Sequence, residues 1–276
     1  MSEISRVLLS NNANLSHIIT VDEEGNGDFV TIQAALDAAH AESPSELQPF
    51  TLLIAPGVYC ESLTLYDHIH LIGLGKASAV KIVQEDQSVI RNGANCMLSN
   101  VCIRGNFSPM INISTSFDGE MLLNQVVIAE QLAGVDSIHF SGGKLVVEQC
   151  WLGCGGSLVS SIGQLILQQS ILQHFHNMPL AVTQPALEVH SGCVEAAYSR
   201  IENLANPASG GSAVQFLTAA PQLARFAFCI FRVMTGYSLD SSVTMNAVLT
   251  ACRMNSELNS AKILAGYLDY SYNPNI

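Results

Sequence analysis

One short stretch near the amino end of the chain has the apolar spacing of a helix. Its apolar positions, which recur at intervals of three and four residues, are Ile32, Ala35, Leu36 and Ala39. Residues with this spacing share one face of a helix. Thr31 is a residue type that caps helices, and Pro44 prevents the helix from continuing. The pattern predicts a helix over residues 31–41 that buries one face against a larger body.

From Met97 onward a six-residue pattern repeats. The seven segments are 98–103, 123–128, 147–152, 167–172, 196–201, 226–231 and 249–254. Their spacing is irregular, with steps between 20 residues (Leu152 to Leu172) and 30 residues (Ile201 to Phe231). Irregular steps are typical of a solenoid of stacked strands, in which loops of variable length join strands of fixed length.

The six positions of each segment predict two short strands joined by a bend. The first and sixth positions are apolar and the fourth is small, which predicts an inward face. The third position begins with amides, namely Asn100, Gln125, Gln149 and Gln169. Amides stacked at a bend can hydrogen-bond along the stack. Three of the eight cysteines, Cys150, Cys229 and Cys252, occupy the small fourth position, so we predict that they serve packing.

The fifth position of the repeat should point outward, yet it is largely apolar. Val127, Trp151 and Ile171 fall on adjacent segments, and we call these three residues the apolar row. A contiguous apolar surface requires an explanation that scattered apolar residues do not. Three explanations are open: the tail or a loop of the chain covers the row, the row is a subunit interface, or it is a ligand surface centred on Trp151.

Three motifs in the first third of the chain resemble those of a known family. They are Phe29-Val30-Thr31-Ile32-Gln33, Ile54-Ala55-Pro56-Gly57-Val58-Tyr59-Cys60-Glu61 and Leu71-Ile72-Gly73-Leu74-Gly75. Here the chain resembles the pectin methylesterases and, more broadly, the pectin-lyase-like right-handed β-helix superfamily. The resemblance implies an all-β fold, a single right-handed parallel β-helix with an N-terminal capping helix.

The patterns along the sequence divide the chain into three parts. We expect an N-terminal arm over 1–19, a β-helix over 20–254 with its capping helix at 31–41, and a C-terminal cap or tail over 255–276. The tail carries apolar residues at roughly helical spacing, which predicts a terminal cap. These residues are Leu258, Ile263, Leu264, Tyr267 and Leu268.

The resemblance further implies where chemistry would lie. The family uses a nucleophilic aspartate, an acid/base aspartate, an arginine that positions the nucleophile, and glutamines that stabilise the oxyanion. The stretch from Gly134 to Phe140 is similar to the motif of the second aspartate and contains Asp136, but no Gln-Asp-Thr motif of the first aspartate is present. Asp118 and Arg200 are the residues left for the other two roles. The alternative is that Asp118 and Asp136 merely favour turns.

Composition excludes several other functions. A net charge of −12 repels a phosphate backbone and argues against nucleic-acid binding. No apolar run reaches 18 residues, so no membrane span is expected, and no metal or cofactor motif is found. The first residues lack the pattern of a signal peptide, and the eight cysteines are expected to be reduced. These features predict a cytoplasmic protein or one associated with a virion or other particle.

The sequence therefore favours a non-catalytic β-helix scaffold for assembly or for binding a glycan or a protein. Its expected partners are a second or third copy of itself, as a dimer or trimer joined through the apolar row, and a glycan. The alternative is a divergent carbohydrate esterase with a two-aspartate mechanism, using Asp118, Asp136 and Arg200.

Overall fold

The protein is a stack of parallel strands wound into a single right-handed β-helix. A computed structural model describes residues 17–160, 162–175, 184–205, 211–217, 223–259 and 263–272. Each complete coil passes through a first, a second and a third sheet in turn. The predicted fold class is thus confirmed.

The strands are numbered in chain order and grouped by sheet. The first sheet contains β1 (Ile18–Val21), β2 (Phe50–Ile54), β4 (Ile69–Gly73), β6 (Cys96–Ser99), β9 (Glu120–Asn124), β12 (Lys144–Glu148), β15 (Gln164–Gln168), β18 (Cys193–Ala197), β21 (Leu223–Ala227), β24 (Met245–Met254) and β25 (Ile263–Tyr272). The second contains β3 (Gly57–Tyr59), β5 (Val80–Gln84), β7 (Cys102–Gly105), β10 (Val127–Ala133), β13 (Trp151–Gly155), β16 (Ile171–His174), β19 (Arg200–Asn203) and β22 (Ile230–Val233), and the later parts of β24 and β25 extend it. The third contains β8 (Ile111–Ile113), β11 (Ile138–Phe140), β14 (Leu158–Ser160), β17 (Leu187–Val189), β20 (Val214–Phe216) and β23 (Leu239–Ser241).

The bend between the first and second sheets follows the predicted repeat. Its third-position residue adopts a left-handed backbone in every one of the seven segments, with φ between 49° and 59°. The predicted amide ladder forms here, because Gln125 donates to Gln149 at 3.0 Å and Gln149 donates to Gln169 at 3.1 Å. Farther along the stack the ladder continues as Tyr198 and Phe228, whose rings stack with centroids 4.9 Å apart.

The small fourth position forms a buried column that contributes hydrogen bonds as well as packing. Cys150 Sγ accepts the backbone N–H of Val126 at 3.3 Å, and Ser170 Oγ accepts the N–H of Cys150 at 3.1 Å. Burial raises the pKa of the Cys150 thiol to about 12, so it stays protonated. The seven cysteines whose side chains the structure describes are free thiols.

A helix covers the amino end of the stack. Helix α1 (Ile32–Ala41) buries the four residues that its spacing identifies. Thr31 precedes the helix but makes no side-chain capping bond, contrary to the role expected for it. Instead the carboxylate of Glu61, which follows β3, accepts the N–H groups of Ile32 and Gln33, both at 2.8 Å. Two helical donors are thus satisfied by a residue of the next coil. A short 3-10 helix (Ala77–Ala79) precedes β5.

The carboxyl end differs from the helical cap that its spacing predicts. Residues Ile263–Tyr272 form β25, which pairs in parallel with β24 and adds a further level to the stack. The open edge of β24 presents unpaired backbone donors and acceptors, and a strand satisfies them where a helix does not. No helix in the described part of the chain is long and apolar enough to cross a membrane. Residues 1–16 of the predicted N-terminal arm lie outside the described residues.

The irregular length of the repeat arises mainly at one corner. The bend between the first and second sheets takes two residues in each of the segments from 98–103 to 226–231, whereas the connection from second to third sheet varies. Where all of its residues are described, it is residues 106–110 in one coil and residues 156–157 in another. This corner borders the outer face of the third sheet.

Candidate functional site

The outer face of the third sheet carries a continuous row of mostly polar side chains. Each strand of this sheet has three residues, of which the middle one points outward. In register across six strands, the outward residues are Asn112, His139, Val159, Glu188, Gln215 and Asp240, which we call the polar row. At a strand spacing of about 4.8 Å the row extends for roughly 24 Å along the stack. It presents amides, an imidazole and carboxylates in one line.

Asp136 lies beside the polar row, at the corner that leads into β11. Its Oδ1 accepts the backbone N–H of Ser157 at 2.6 Å, and its Oδ2 lies 2.9 Å from His139 Nε2 and 3.3 Å from Ser108 Oγ. Gly156 allows this close approach, since a Cβ there would lie 2.4 Å from Oδ1. Asp136 is only 13% exposed, while His139 is 37% exposed. The carboxylate therefore fixes the local backbone and orients the imidazole towards solvent.

A second carboxylate–imidazole pair lies farther along the same face. Glu188 Oε1 and His190 Nε2 are 2.6 Å apart, and the two side chains are 23% and 31% exposed. Glu188 lies two strands from His139 in the polar row, with Val159 between them. At the end of the row, Asp240 accepts a hydrogen bond from Asn259 at 2.8 Å. The face thus offers several oriented donors and acceptors.

The three residues of the esterase hypothesis lie at three different corners of the coil. Asp118 is exposed in the turn between β8 and β9, where the third sheet leads into the first. Asp136 lies where the second sheet leads into the third. Arg200 begins β19 after the bend between first and second sheets, and its guanidinium binds the buried Glu202 at 2.5 Å. The structure therefore brings none of these residues together through its described contacts.

The apolar row lies on the second sheet, in the register that the repeat predicts. Val127 pairs with Trp151, and Trp151 pairs with Ile171. All three side chains are half-buried. A Cβ at Gly153 would lie 2.8 Å from the Trp151 ring and 2.9 Å from the Phe175 ring, so both rings lie against this glycine. The described part of the tail, β25, continues the stack and does not cover the row.

Sequence reasoning missed the polar row, although a signal for it is present. The third-sheet strands read as apolar–polar–apolar triplets, for example Ile138-His139-Phe140, Leu187-Glu188-Val189 and Val214-Gln215-Phe216. Triplets are too short to stand out from chance alternation, and the variable corner before them hides their period. Within the described residues, no three His, Cys, Asp or Glu side chains form a group that could hold a metal ion.

Comparison with known proteins places the chain by its fold. No family model and no curated protein sequence matches it. A solved pectin methylesterase variant in complex with hexasaccharide IV is similar with a TM-score of 0.58 and 14% identity, covering 84% of this chain and 80% of that one. A pectin methylesterase in complex with hexasaccharide VII gives a TM-score of 0.57 at 14% identity, with the same coverage. The enzyme from carrot is looser, with a TM-score of 0.45 and 9% identity over 92% of this chain and 88% of that one. The chain has the right-handed β-helix fold of the pectin methylesterases.

Proposed function

We propose that the protein is a non-catalytic β-helix scaffold that binds a glycan along the polar row of its third sheet. The observation that supports the proposal is the register of that row, which aligns outward polar side chains on successive coils. A linear polymer has hydroxyl groups at regular intervals and can exchange hydrogen bonds with such a row over its full length. The fold accommodates such chains, since two of the similar pectin methylesterases are complexes with hexasaccharides.

The charge of the face narrows the class of glycan. Glu188 and Asp240 contribute carboxylates to the row, and the chain as a whole has a net charge of −12. A polyuronate would meet like charges along its length. A neutral glycan, or one containing amino sugars, would instead find hydrogen-bond acceptors and, in the second case, opposite charges. We therefore propose a neutral or amino-sugar polymer.

The engagement of Asp136 supports a non-catalytic role. A nucleophilic or acid/base carboxylate must reach the reacting atoms of a substrate. Both oxygens of Asp136 are already bound within the protein, by Ser157, Ser108 and His139. Arg200 is likewise bound to Glu202. These groups act in the described structure as internal ties.

One observation favours a second candidate, a divergent carbohydrate esterase. His139 is partly exposed in the polar row and is oriented by Asp136, which is an arrangement that suits a general base. Such an enzyme would use Asp136 through His139, in place of the pair of aspartates and the arginine that the sequence resemblance implies. The two candidates differ in whether a bound ester is hydrolysed.

The test compares binding and hydrolysis on the same face. We would titrate the protein with neutral, amino-sugar and uronide hexasaccharides by calorimetry. The Glu188→Ala, Gln215→Ala variant should weaken binding by about tenfold or more, since each lost hydrogen bond contributes about 1 kcal/mol. The matched control, Glu148→Ala with Gln164→Ala on the outer face of the first sheet, should leave affinity unchanged.

Two results would overturn the proposal. One is the absence of binding to every glycan class. The other is methanol release from a methylated polyuronide that stops in both Asp136→Asn and His139→Ala, which would establish the esterase.

A further inference from the structure

The outer face of the first sheet has a shallow depression where β15, β18, β21 and β24 lie side by side. Its volume is about 230 Å³. It arises because one row of outward-pointing residues has short side chains on two successive coils. Along that row the residues are Asn124, Glu148, Gln168, Ala197, Ala227 and Thr250. Ala197 and Ala227 form the floor, and we call the depression and its border the alanine patch.

The bend ladder changes its chemistry beside the same two coils. The ladder consists of amides up to Gln169 and becomes aromatic at Tyr198 and Phe228, which directly follow the two alanines. Both rings are strongly exposed, Tyr198 at 62% and Phe228 at 49%. Exposed neighbouring aromatic rings beside a small-residue floor are typical of contact surfaces that bury apolar area on binding.

The other border of the patch carries two opposite charges for which the described residues provide no ion pair. Glu195 and Arg225 occupy directly paired positions on β18 and β21. Among the ion pairs and hydrogen bonds of the described residues, neither side chain takes part in one. Ile166 and Val248 flank them on the outer strands β15 and β24. A charged pair left open in this way is available to an external partner.

The arrangement is self-complementary about a two-fold axis. This axis lies just outside the first sheet, runs parallel to its strands and passes midway between β18 and β21. A half-turn about this axis brings β18 of one copy over β21 of the other, and β15 over β24. In an isologous contact, if one residue touches a second residue of the other copy, the second residue also touches the first residue of the other copy. With the axis in this position, the half-turn opposes a glutamate to an arginine at one position, and at the other three it opposes two alanines, two aliphatic residues and two uncharged polar residues.

We infer that the alanine patch binds a second copy of this chain through that two-fold axis, with the two β-helices antiparallel. In the pair, Glu195 of each copy faces Arg225 of the partner subunit. Ala197 faces Ala227 of the partner subunit, so the sheets approach closely. Ile166 faces Val248 of the partner subunit, and Gln168 faces Thr250 of the partner subunit.

Different parts of the contact supply affinity and alignment. Removing the Tyr198 and Phe228 rings from water supplies the apolar driving force. The two reciprocal Glu195–Arg225 pairs set the register of one copy on the other and disfavour wrong alignments, since like charges would otherwise meet. This contact uses the first sheet and is separate from both the polar row and the apolar row.

A charge-reversal experiment tests this geometry. Wild-type protein should contain an even number of chains by light scattering. Glu195→Arg alone and Arg225→Glu alone should each halve the particle mass, because like charges then face each other twice. Mixing the two single variants should restore the wild-type mass, since every arginine of one chain then faces a glutamate of the other. The double variant, with both charges exchanged, should also regain it.

Controls separate this result from loss of folding or from a general effect of charge. Each variant should keep the wild-type circular dichroism and unfolding midpoint. Glu85→Arg and Lys81→Glu, which lie at the second sheet, should leave the mass unchanged. A monomeric wild type would overturn the inference, as would single variants that keep the full mass. Folded single variants that dissociate but fail to combine on mixing would also contradict the two-fold arrangement.

Discussion

At the scale of single residues, the buried cysteines connect packing to pH. The predicted role of Cys150, Cys229 and Cys252 was packing, which their burial bears out, and Cys150 additionally accepts a backbone N–H. Desolvation by burial raises the pKa of Cys96 and of Cys150 to about 12, from 9.0 for an exposed thiol. In the unfolded chain these thiols would ionise near their ordinary pKa. Folding therefore holds two protons that unfolding releases in alkaline solution.

The sign of this linkage gives a prediction. The contribution of the two thiols is complete below pH 9 and is lost as the pH rises from 9 towards 12. At pH 10.5 the loss should be on the order of 2 kcal/mol per thiol in free energy of unfolding. Urea unfolding at pH 7.5 and pH 10.5 would measure it. A Cys96→Ala, Cys150→Ser variant should lose less stability over that interval, and an equal loss in both proteins would contradict the assignment.

At the scale of elements, the capping helix shows which features can be predicted from local sequence and which cannot. Its four buried residues follow from spacing within ten positions, so the pattern predicts α1 to within a residue. Its cap depends on Glu61, which is 29 residues away from Ile32. No local pattern contains that contact, because it exists only once the second coil has closed beneath the helix. The polar row was missed for the same reason, because its residues are neighbours in the stack but lie far apart along the sequence.

The unexpected cap leads to a second prediction. Glu61→Ala removes the acceptor of two helical N–H groups and should lower the free energy of unfolding by about 1–2 kcal/mol. Thr31→Ala is the matched control, since Thr31 makes no side-chain capping bond, and should change stability by less than about 0.5 kcal/mol. Chemical denaturation of the three proteins decides the point. A larger effect at Thr31 than at Glu61 would contradict the assignment of the cap.

The last strand illustrates a second limit of pattern reading. Apolar residues from Leu258 to Leu268 fit a helical spacing as well as a strand. The stack decides between them, because β24 offers an open edge and β25 closes it. The register of the seven repeats was predictable, since the inward first and sixth positions stay apolar and the inward fourth position stays small in every coil. The last strand, β25, packs against the stack on one side only, so its sequence of apolar and polar residues is less constrained.

At the scale of the whole molecule, the apolar row remains a proposed contact with another copy of the chain. Trp151→Glu with Ile171→Glu places two charges on it and should reduce the mass of the assembly measured by light scattering. Arg104→Glu with Arg253→Glu, which changes two exposed outward residues of the second sheet, is the matched control and should not. An unchanged mass in a folded Trp151→Glu, Ile171→Glu variant would contradict the proposal that this row is an interface. It would leave the alanine patch as the surface to examine for association.

The unequal corners of the coil have a consequence for how this protein can be altered. The bend between first and second sheets is held at two residues by its left-handed backbone, so an added residue there would shift every inward side chain of the coil. The corner before the third sheet already accepts connections of very different length. Foreign peptides should therefore be graftable at this corner without disturbing the core. Several could be displayed side by side along one rigid edge, at spacings set by whole numbers of coils.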